Sequence, residues 1–257
     1  MTDCYLFMQA NVIQDGHYEF ISIVKELAPP GLLSQIQTTV PFYFRNVEKQ
    51  YETYHGCHVF VRYFIRVQVE RKLFPPIQKD KEVLVFIRKP PPPINEPIRM
   101  EVGIEDCLHI EFEFNKKSYH LEDVIIGTID FVLVKIKLKY MEIALIRREV
   151  SGEGAKNAIV ATNTSAGLSK EIITEMQTLI RYEVMDGQPV KGESIPVRLF
   201  LRGIAGDLTP TFDSVYNRFS VQYFLNLVLV DEEDRRYFKQ SEIILFRQSG
   251  DESHGIH

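Results

Sequence analysis

Residues 107–114 read Cys-Leu-His-Ile-Glu-Phe-Glu-Phe, and apolar and polar side chains alternate along the whole stretch. Successive side chains of a β-strand point to opposite faces of its sheet, so this alternation predicts a strand with one core face and one solvent face. The predicted core face carries four apolar residues, Leu108, Ile110, Phe112 and Phe114. The predicted solvent face carries Glu111 and Glu113.

The same period of two recurs along the chain and predicts further strands. In the clearest repeats, at 59–69, 132–140 and 219–229, every second residue is Val, Ile, Leu, Phe or Tyr. Weaker candidates lie at 5–13, 40–46, 81–88, 141–149, 195–202 and 237–247. Short strands separated by turn residues are typical of β-sandwiches, and the alternating helices of βαβ units are absent from the pattern. The sequence therefore predicts an all-β fold.

Two short helices are the expected exceptions. Residues 20–27 have the length of about two helical turns. They end at Ala28-Pro29-Pro30-Gly31, because proline disfavours helix in the residue before it. A second helix is predicted between Leu168 and Ile180, where apolar residues are spaced for one helical face. It follows a polar stretch, 151–167, which predicts a long surface loop.

A proline run, Pro90-Pro91-Pro92-Pro93, predicts where the chain divides. Proline cannot donate to a sheet ladder, and such runs favour polyproline II, so we expect a linker here. The predicted units are 1–98 and 99–250, followed by a tail at 251–257. The second unit has about nine strand candidates and the first about four or five, so the N-terminal sandwich is expected to be incomplete.

Composition narrows the functional classes. The 45% hydrophobic content of the 257 residues indicates a globular protein with a buried core, and the net charge of -5 argues against a nucleic-acid-binding surface. Three scattered cysteines, Cys4, Cys57 and Cys107, favour a reducing cytoplasmic compartment over a secreted disulfide framework. We find no signal-peptide pattern and no apolar run near the ~20 residues that span a bilayer. Any membrane association is therefore expected to be peripheral and through a partner.

The sequence predicts no catalytic or metal site. His55-Gly-Cys57-His58 comes nearest to a metal cluster, but no second ligand pair follows at zinc spacing. Cys107, His109 and Glu111 share one strand face, for which a solvated surface is the simpler interpretation than a nucleophile and its base. Residues 231–236, Asp-Glu-Glu-Asp-Arg-Arg, predict a charged turn, since a calcium loop usually spaces its carboxylates and includes a glycine. We expect neither an enzyme nor a cofactor.

Val184 and Met185 form an apolar pair immediately before the turn residues Asp186-Gly187, and a second turn follows at Lys191-Gly192. Polar residues are commoner at such a position. Exposed apolar pairs at turns can anchor protein partners, and the alternative is a strand end directed into the core. From the residues alone both interpretations stay open.

Three stretches of the chain resemble the vacuolar protein sorting 26 family, the arrestin-like subunit of the retromer endosomal sorting complex. They are 100–114, 182–201 with its Gly-Glu-Ser-Ile-Pro core, and 223–239. Shorter matches occur at Val24-Lys-Glu-Leu-Ala28 and Arg62-Tyr-Phe64. The resemblance is collinear and implies two arrestin-like β-sandwich domains in tandem, although part of the usual N-terminal domain has no counterpart. The loop around 151–180 is longer than usual for the family.

The resemblance also implies a function. The protein would be a non-catalytic adaptor that sorts cargo from endosomes to the Golgi or the cell surface, located in the cytoplasm and peripherally on endosomal membranes. Its partners would be the α-solenoid scaffold subunit of retromer, a sorting nexin and the cytoplasmic tails of cargo, with the membrane reached only indirectly. The family's scaffold-binding loop aligns with Val184 and Met185. Its contact surface for cargo and sorting nexin aligns with Val102, Tyr237 and Phe238.

Two other classes remain as alternatives. An arrestin-related ubiquitin-ligase adaptor usually presents Pro-Pro-x-Tyr motifs, whereas Pro93 is followed by Ile94. An unrelated β-sandwich protein, extracellular or hydrolytic, is expected to show paired cysteines, aromatic platforms or a catalytic triad. The sequence shows none of these three signals.

Overall fold

The computed structural model describes residues 2–14, 16–31, 39–152 and 172–248. Within these ranges the chain forms β-strands and a single turn of 3-10 helix, Arg202–Ile204. The predicted all-β fold is confirmed. Contacts divide the chain into two compact units, Met1–Ile87 and Arg88–His257. The boundary predicted at residue 98 lies a little further along and stays a prediction.

The described residues of the first unit form one antiparallel sheet. Its strands are β1 (Thr2–Gln14), β2 (Gly16–Gly31), β3 (Tyr54–His55), β4 (Phe60–Arg71) and β5 (Phe74–Val83). They lie in the order β2-β1-β4-β3, and β5 also pairs with β4. Alternate residues of the two central strands are buried on one face, including Leu6, Met8, Ala10, Val61 and Tyr63. A complete sandwich needs a second sheet, and the incomplete N-terminal sandwich stays a prediction.

Three predictions for this unit are wrong in whole or in part. The helix expected at 20–27 is the middle of β2, where Val24 pairs with Phe7 and Ile23 with Met8. The ladder to β1 outweighs a weak local helical preference, as tertiary context often does. The strand expected at 40–46 forms no ladder, and Asn46 at its end has a φ of 52°, which breaks an extended run. The strand expected at 81–88 coincides only with the end of β5.

The second unit is a two-sheet sandwich. Its strands are β6 (Ile98–Ile104), β7 (Leu108–Phe114), β8 (Ser118–His120), β9 (Val124–Val134), β10 (Leu138–Ser151), β11 (Ile173–Asp186), β12 (Ser194–Phe200), β13 (Phe212–Val215), β14 (Phe219–Asp231) and β15 (Arg236–Phe246). One sheet has the order β12-β9-β7-β6. The other has the order β11-β10-β14-β15-β8, with β13 also on β14. Strands β6 and β11 therefore lie at sheet edges.

Strand β7 has the register predicted for 107–114. Its four apolar residues are between 0% and 2% exposed, while Glu111 is exposed and Glu113 is partly exposed. The neighbouring strand β9 places Gly127 opposite Phe114. A Cβ on this glycine would lie 2.5 Å from the Phe114 ring, so the close packing of these two strands requires glycine there.

Two predictions for the second unit are wrong. Residues 132–140 are not one strand, because β9 ends at Val134, β10 begins at Leu138, and the chain changes sheets between them. Residues 173–180, expected to be helical, belong to β11. The rest of that prediction, at 168–171, lies outside the described residues, as do most of the predicted loop at 151–167 and the tail at 251–257.

Candidate partner-binding surfaces

The apolar pair Val184 and Met185 lies at the end of β11, the edge strand of the larger sheet. Met185 pairs with Met141 of β10 and Glu183 pairs with Glu142, so Val184 is the additional residue of a β-bulge. A bulge bends its strand and re-aims the side chains beside it. Both members of the pair are half-buried, and they are placed where the strand leaves the sheet.

Two glycines shape the turn that follows this pair. Gly187 and Gly192 have φ angles of 115° and 87°, in the left-handed region that glycine tolerates best. The N–H of Gly187 donates to the carbonyl of Lys139 at 3.1 Å, and that of Gly192 to the carbonyl of Phe131 at 2.7 Å. The turn is therefore fixed to the crossover between β9 and β10, with Val190 exposed between the two glycines.

The charged turn at 231–236 lies beside this first turn. The Gln188 Nε2 atom donates to Glu232 Oε1 at 3.0 Å. Lys139 Nζ lies 2.9 Å from Asp234 Oδ1, and Lys137 Nζ lies 3.6 Å from Glu232 Oε2. Each of these contacts is exposed and individually weak. Together they hold the two turns at the same end of the sandwich.

Asp231 organises the charged turn from within. Its side chain is only 2% exposed; Oδ1 accepts hydrogen bonds from the N–H groups of Glu233 and Arg235, and Oδ2 from Arg235 Nε and the Tyr237 hydroxyl. Burial raises the pKa of the Asp231 carboxyl, but the hydrogen bonds and the charge of Arg235 lower it more. The net pKa lies below the ordinary value.

The residues predicted to contact cargo and sorting nexin lie on strands β6 and β15, which face each other along one seam of the sandwich. Phe238 of β15 is 73% exposed, whereas Tyr237 is partly buried and its hydroxyl is already bonded to Asp231. Val102 of β6 is only 9% exposed and pairs with Ile110 of β7. Val102 can therefore contribute to a surface mainly through its backbone.

A pocket of about 660 Å³ opens beside this seam. It is lined by residues of β6, β7, β9 and β15, namely Arg99, Met100, Glu101, Glu111, Phe112, Glu113, Asp130 and Lys239. Arg99 and Glu113 pair across it, with Nε 3.0 Å from Oε2. The carboxylates of Glu101, Glu111 and Asp130 occupy consecutive cross-strand positions, so the pocket floor is acidic.

The register of the larger sheet connects the two candidate surfaces. Met185 pairs with Met141, Met141 with Leu229, and Leu229 with Tyr237, so these four residues form one row across four strands. The two inner members are fully buried. At ~4.8 Å between strands, the outer members are about 14 Å apart. Residues that are distant in the sequence thus lie at opposite ends of a single rigid row.

Known proteins resemble this chain over most of its length. A family model described as vacuolar protein sorting-associated protein 26 matches residues 7–234. The chain belongs to this family. Vacuolar protein sorting-associated protein 26 of Dictyostelium discoideum is 54% identical over 233 residues, which cover 91% of this chain and 62% of that protein. Protein 26B of Danio rerio is 52% identical over 91% of this chain and 65% of its own length.

The chain spans less than two thirds of the length of these relatives. Family membership and the all-β architecture together establish the arrestin-like fold that the sequence predicted. In the described ranges no helix is long and apolar enough to cross a membrane. Across the same residues no group of three or more His, Cys, Asp or Glu side chains is arranged to hold a metal ion.

The sequence did not reveal which carboxylate organises the charged turn of this family member. Four acidic residues at 231–234 looked equivalent, and only the structure singles out Asp231. One signal was available, because aspartate at the start of a turn often accepts hydrogen bonds from N–H groups two residues or more along. The contact of Gln188 with Glu232 had no sequence signal.

Proposed function

We propose that this chain is a non-catalytic cargo-sorting adaptor of the retromer, acting in retrieval from endosomes to the Golgi or the cell surface. Family membership carries the proposal, because the matched relatives are named for vacuolar protein sorting. The proposed location is the cytoplasmic side of endosomal membranes. The proposed partners are the α-solenoid scaffold subunit, a sorting nexin and the cytoplasmic tails of cargo.

The proposed anchor for the scaffold subunit is the pair Val184 and Met185. Its support is that both side chains are apolar and half-buried at the end of an edge strand, and that a bulge takes Val184 out of the regular ladder beside Met185. An α-solenoid stacks helix pairs and presents grooves between them. A short apolar pair at a strand end suits such a groove.

The proposed surface for cargo and sorting nexin is the seam that contains Val102, Tyr237 and Phe238. Strand β6 and the first half of β15 carry a ladder on one side only within the described part of the chain. An extended peptide can pair with such an edge through its main chain, with alternate side chains in neighbouring pockets. Phe238 supplies an exposed aromatic contact, and the acidic pocket lies next to it.

The test of the anchor is a calorimetric titration of the purified scaffold subunit against the double variant Val184→Asp with Met185→Asn. Each apolar side chain buried in a partner is worth about 1.5–3 kcal/mol, and the aspartate adds the cost of a buried unpaired charge. We expect binding to weaken by more than about 100-fold, since 1.4 kcal/mol corresponds to a factor of ten.

The matched control is Ile126→Asn, which changes an exposed apolar residue of β9 on the other sheet. It should leave binding to the scaffold unchanged. A thermal melt of each variant separates the two interpretations of the pair. Undiminished binding by the double variant means that the anchor is elsewhere. Joint loss of binding and of the folding transition means that the pair belongs to the core.

A further inference from the structure

The hairpin between β4 and β5 presents apolar side chains to solvent at its tip. Arg71 pairs with Phe74, and Lys72 and Leu73 form the turn between them. Leu73 is 86% exposed, the highest value for a large apolar side chain among the described residues, and Phe74 is 66% exposed. Turns of this kind usually carry Gly, Asn, Asp or Ser, so an exposed leucine here is unusual.

The tip has a defined conformation. The Arg71 guanidinium donates to the carbonyl of Pro75 from Nε at 3.0 Å and from a terminal nitrogen at 2.7 Å, and it lies 5.4 Å from the centre of the Phe74 ring. These contacts hold the aromatic ring beside the turn. Leu73 and Phe74 are thus displayed together, with Ile77 exposed further along β5.

Most of the charge at the tip is positive, and the one carboxylate next to it, Glu70 of β4, accepts a hydrogen bond from Gln68 Nε2. Residues 71–79 contain Arg71, Lys72 and Lys79 but no carboxylate. The next carboxylate along β5, Asp80, is held by Arg66 through two hydrogen bonds of 2.8 Å. Lys72 and Lys79 form no ion pair with any residue that the structure describes. The tip is consequently a small apolar projection with a net positive charge over residues 70–79.

We propose that this hairpin tip contacts an anionic lipid surface directly, with Leu73 and Phe74 entering the interface between headgroups and acyl chains. Exposed aromatic and aliphatic side chains flanked by Lys and Arg suit that interface, which is apolar on one side and negatively charged on the other. Each cation near an anionic surface strengthens binding roughly fivefold at moderate salt.

A lipid surface fits this tip better than an added strand from another protein. Strand β5 pairs only with β4 in the described part of the chain, but Pro75 and Pro76 are its second and third residues, and proline has no N–H to offer a neighbouring strand. The cations also favour a negatively charged surface. A single tip of this size binds weakly and reversibly, so it would complement association through protein partners.

The test is co-sedimentation of the 257-residue chain with vesicles of phosphatidylcholine alone or with about 30% phosphatidylserine. We expect binding to the anionic vesicles that weakens as salt rises, because exposed charges are screened. Leu73→Ser with Phe74→Ser should lower the affinity at least about tenfold. Lys72→Gln with Lys79→Gln should lower it by a similar factor and flatten the salt dependence.

The matched control is Leu84→Ser with Phe86→Ser, which removes two exposed apolar side chains of the same unit outside the tip. It should bind as the unchanged protein does. Equal binding to neutral and anionic vesicles, no binding to either, or full binding by the Leu73 and Phe74 variant would each overturn the proposal.

A second measurement reports insertion itself. The chain contains no tryptophan, so Phe74→Trp introduces a single fluorescent reporter at the tip. Its emission should shift to shorter wavelength with anionic vesicles and be quenched by lipids brominated on the acyl chain. Unchanged emission at a vesicle concentration that sediments the protein would overturn the proposal, and would leave protein docking as the use of this tip.

Discussion

Strands β7 and β11 belong to the same sandwich, but their surroundings differ. Strand β7 has a neighbour on each side and buries one complete face, so its side chains keep a strict period of two. Among the described residues strand β11 pairs only with β10, and its apolar residues are half-buried or exposed. Bulges at Leu179 and Val184 each add one residue to it. Apolar and polar residues must alternate strictly only in a strand that is hydrogen-bonded on both sides and buries one face.

This difference also explains what each strand can do. A core-face residue of β7 cannot move without opening the core. The end of β11 can meet a partner, because edge strands have unused ladder positions and bulges re-aim their side chains. The candidate scaffold anchor lies on the less constrained of the two strands, as binding residues often do.

The largest effect should come from the core face of β7. Phe112→Ala removes a fully buried ring and should lower the free energy of unfolding by about 3–5 kcal/mol, as large-to-small core changes do. Glu111→Ala, one residue away on the solvent face, should change it by less than about 0.5 kcal/mol. Denaturant melts of both variants measure the contrast. Reversed magnitudes would place the register one residue out.

A smaller effect is expected where β14 ends in a buried carboxylate. The pKa of Asp231 is lowered in the folded protein, so its stabilising contribution is present above the unfolded pKa and is lost as the pH falls through the folded pKa. Asp231→Asn should destabilise the protein at neutral pH. The variant should also lose less stability than the unchanged protein as the pH falls below ~4. Melts from pH 7 to pH 3 measure this. An unaltered pH profile in the variant would contradict the role given to Asp231.

The smallest effect should come from the exposed edge strand. Met176 of β11 is 53% exposed, and Met176→Ala should change the free energy of unfolding by about 0.5 kcal/mol or less. Met141 of β10 provides a control of the same residue type in the same sheet. It is fully buried, so Met141→Ala should cost about 2–5 kcal/mol. Similar costs at both positions would mean that β11 is as constrained as the strands inside the sheet.

The fold was predictable where burial acts on one face of a strand. Alternation at 107–114 predicted the register of β7 because its apolar residues share a single core. The same reasoning failed at 132–140, where Val132 is the additional residue of a bulge opposite β7 and the chain then changes sheets. Helical spacing misled at 173–180, where an added residue at Leu179 interrupts the two-residue period of β11.

The sequence predicted which residues belong to the candidate surfaces, but not how their side chains are placed. An apolar pair before a turn drew attention to Val184 and Met185, and the family resemblance did so for Val102, Tyr237 and Phe238. The sequence could not show that the Val102 side chain is turned toward the core, or that Tyr237 gives its hydroxyl to Asp231. These facts depend on the register between strands that are distant in the chain.

The order of residues was enough to predict the all-β class, the register of β7, the glycine turns after β11 and the family to which the chain belongs. These follow from local rules: the two-residue period of a strand, the backbone freedom of glycine and the order of matched residues. Pairing between distant strands was needed to establish that β2 is a strand and that Met185 and Tyr237 share one row. It also decided that Leu73 and Phe74 project into solvent. The pairing partner of a strand and the solvent exposure of its side chains are long-range properties, because they depend on which other strand lies alongside it.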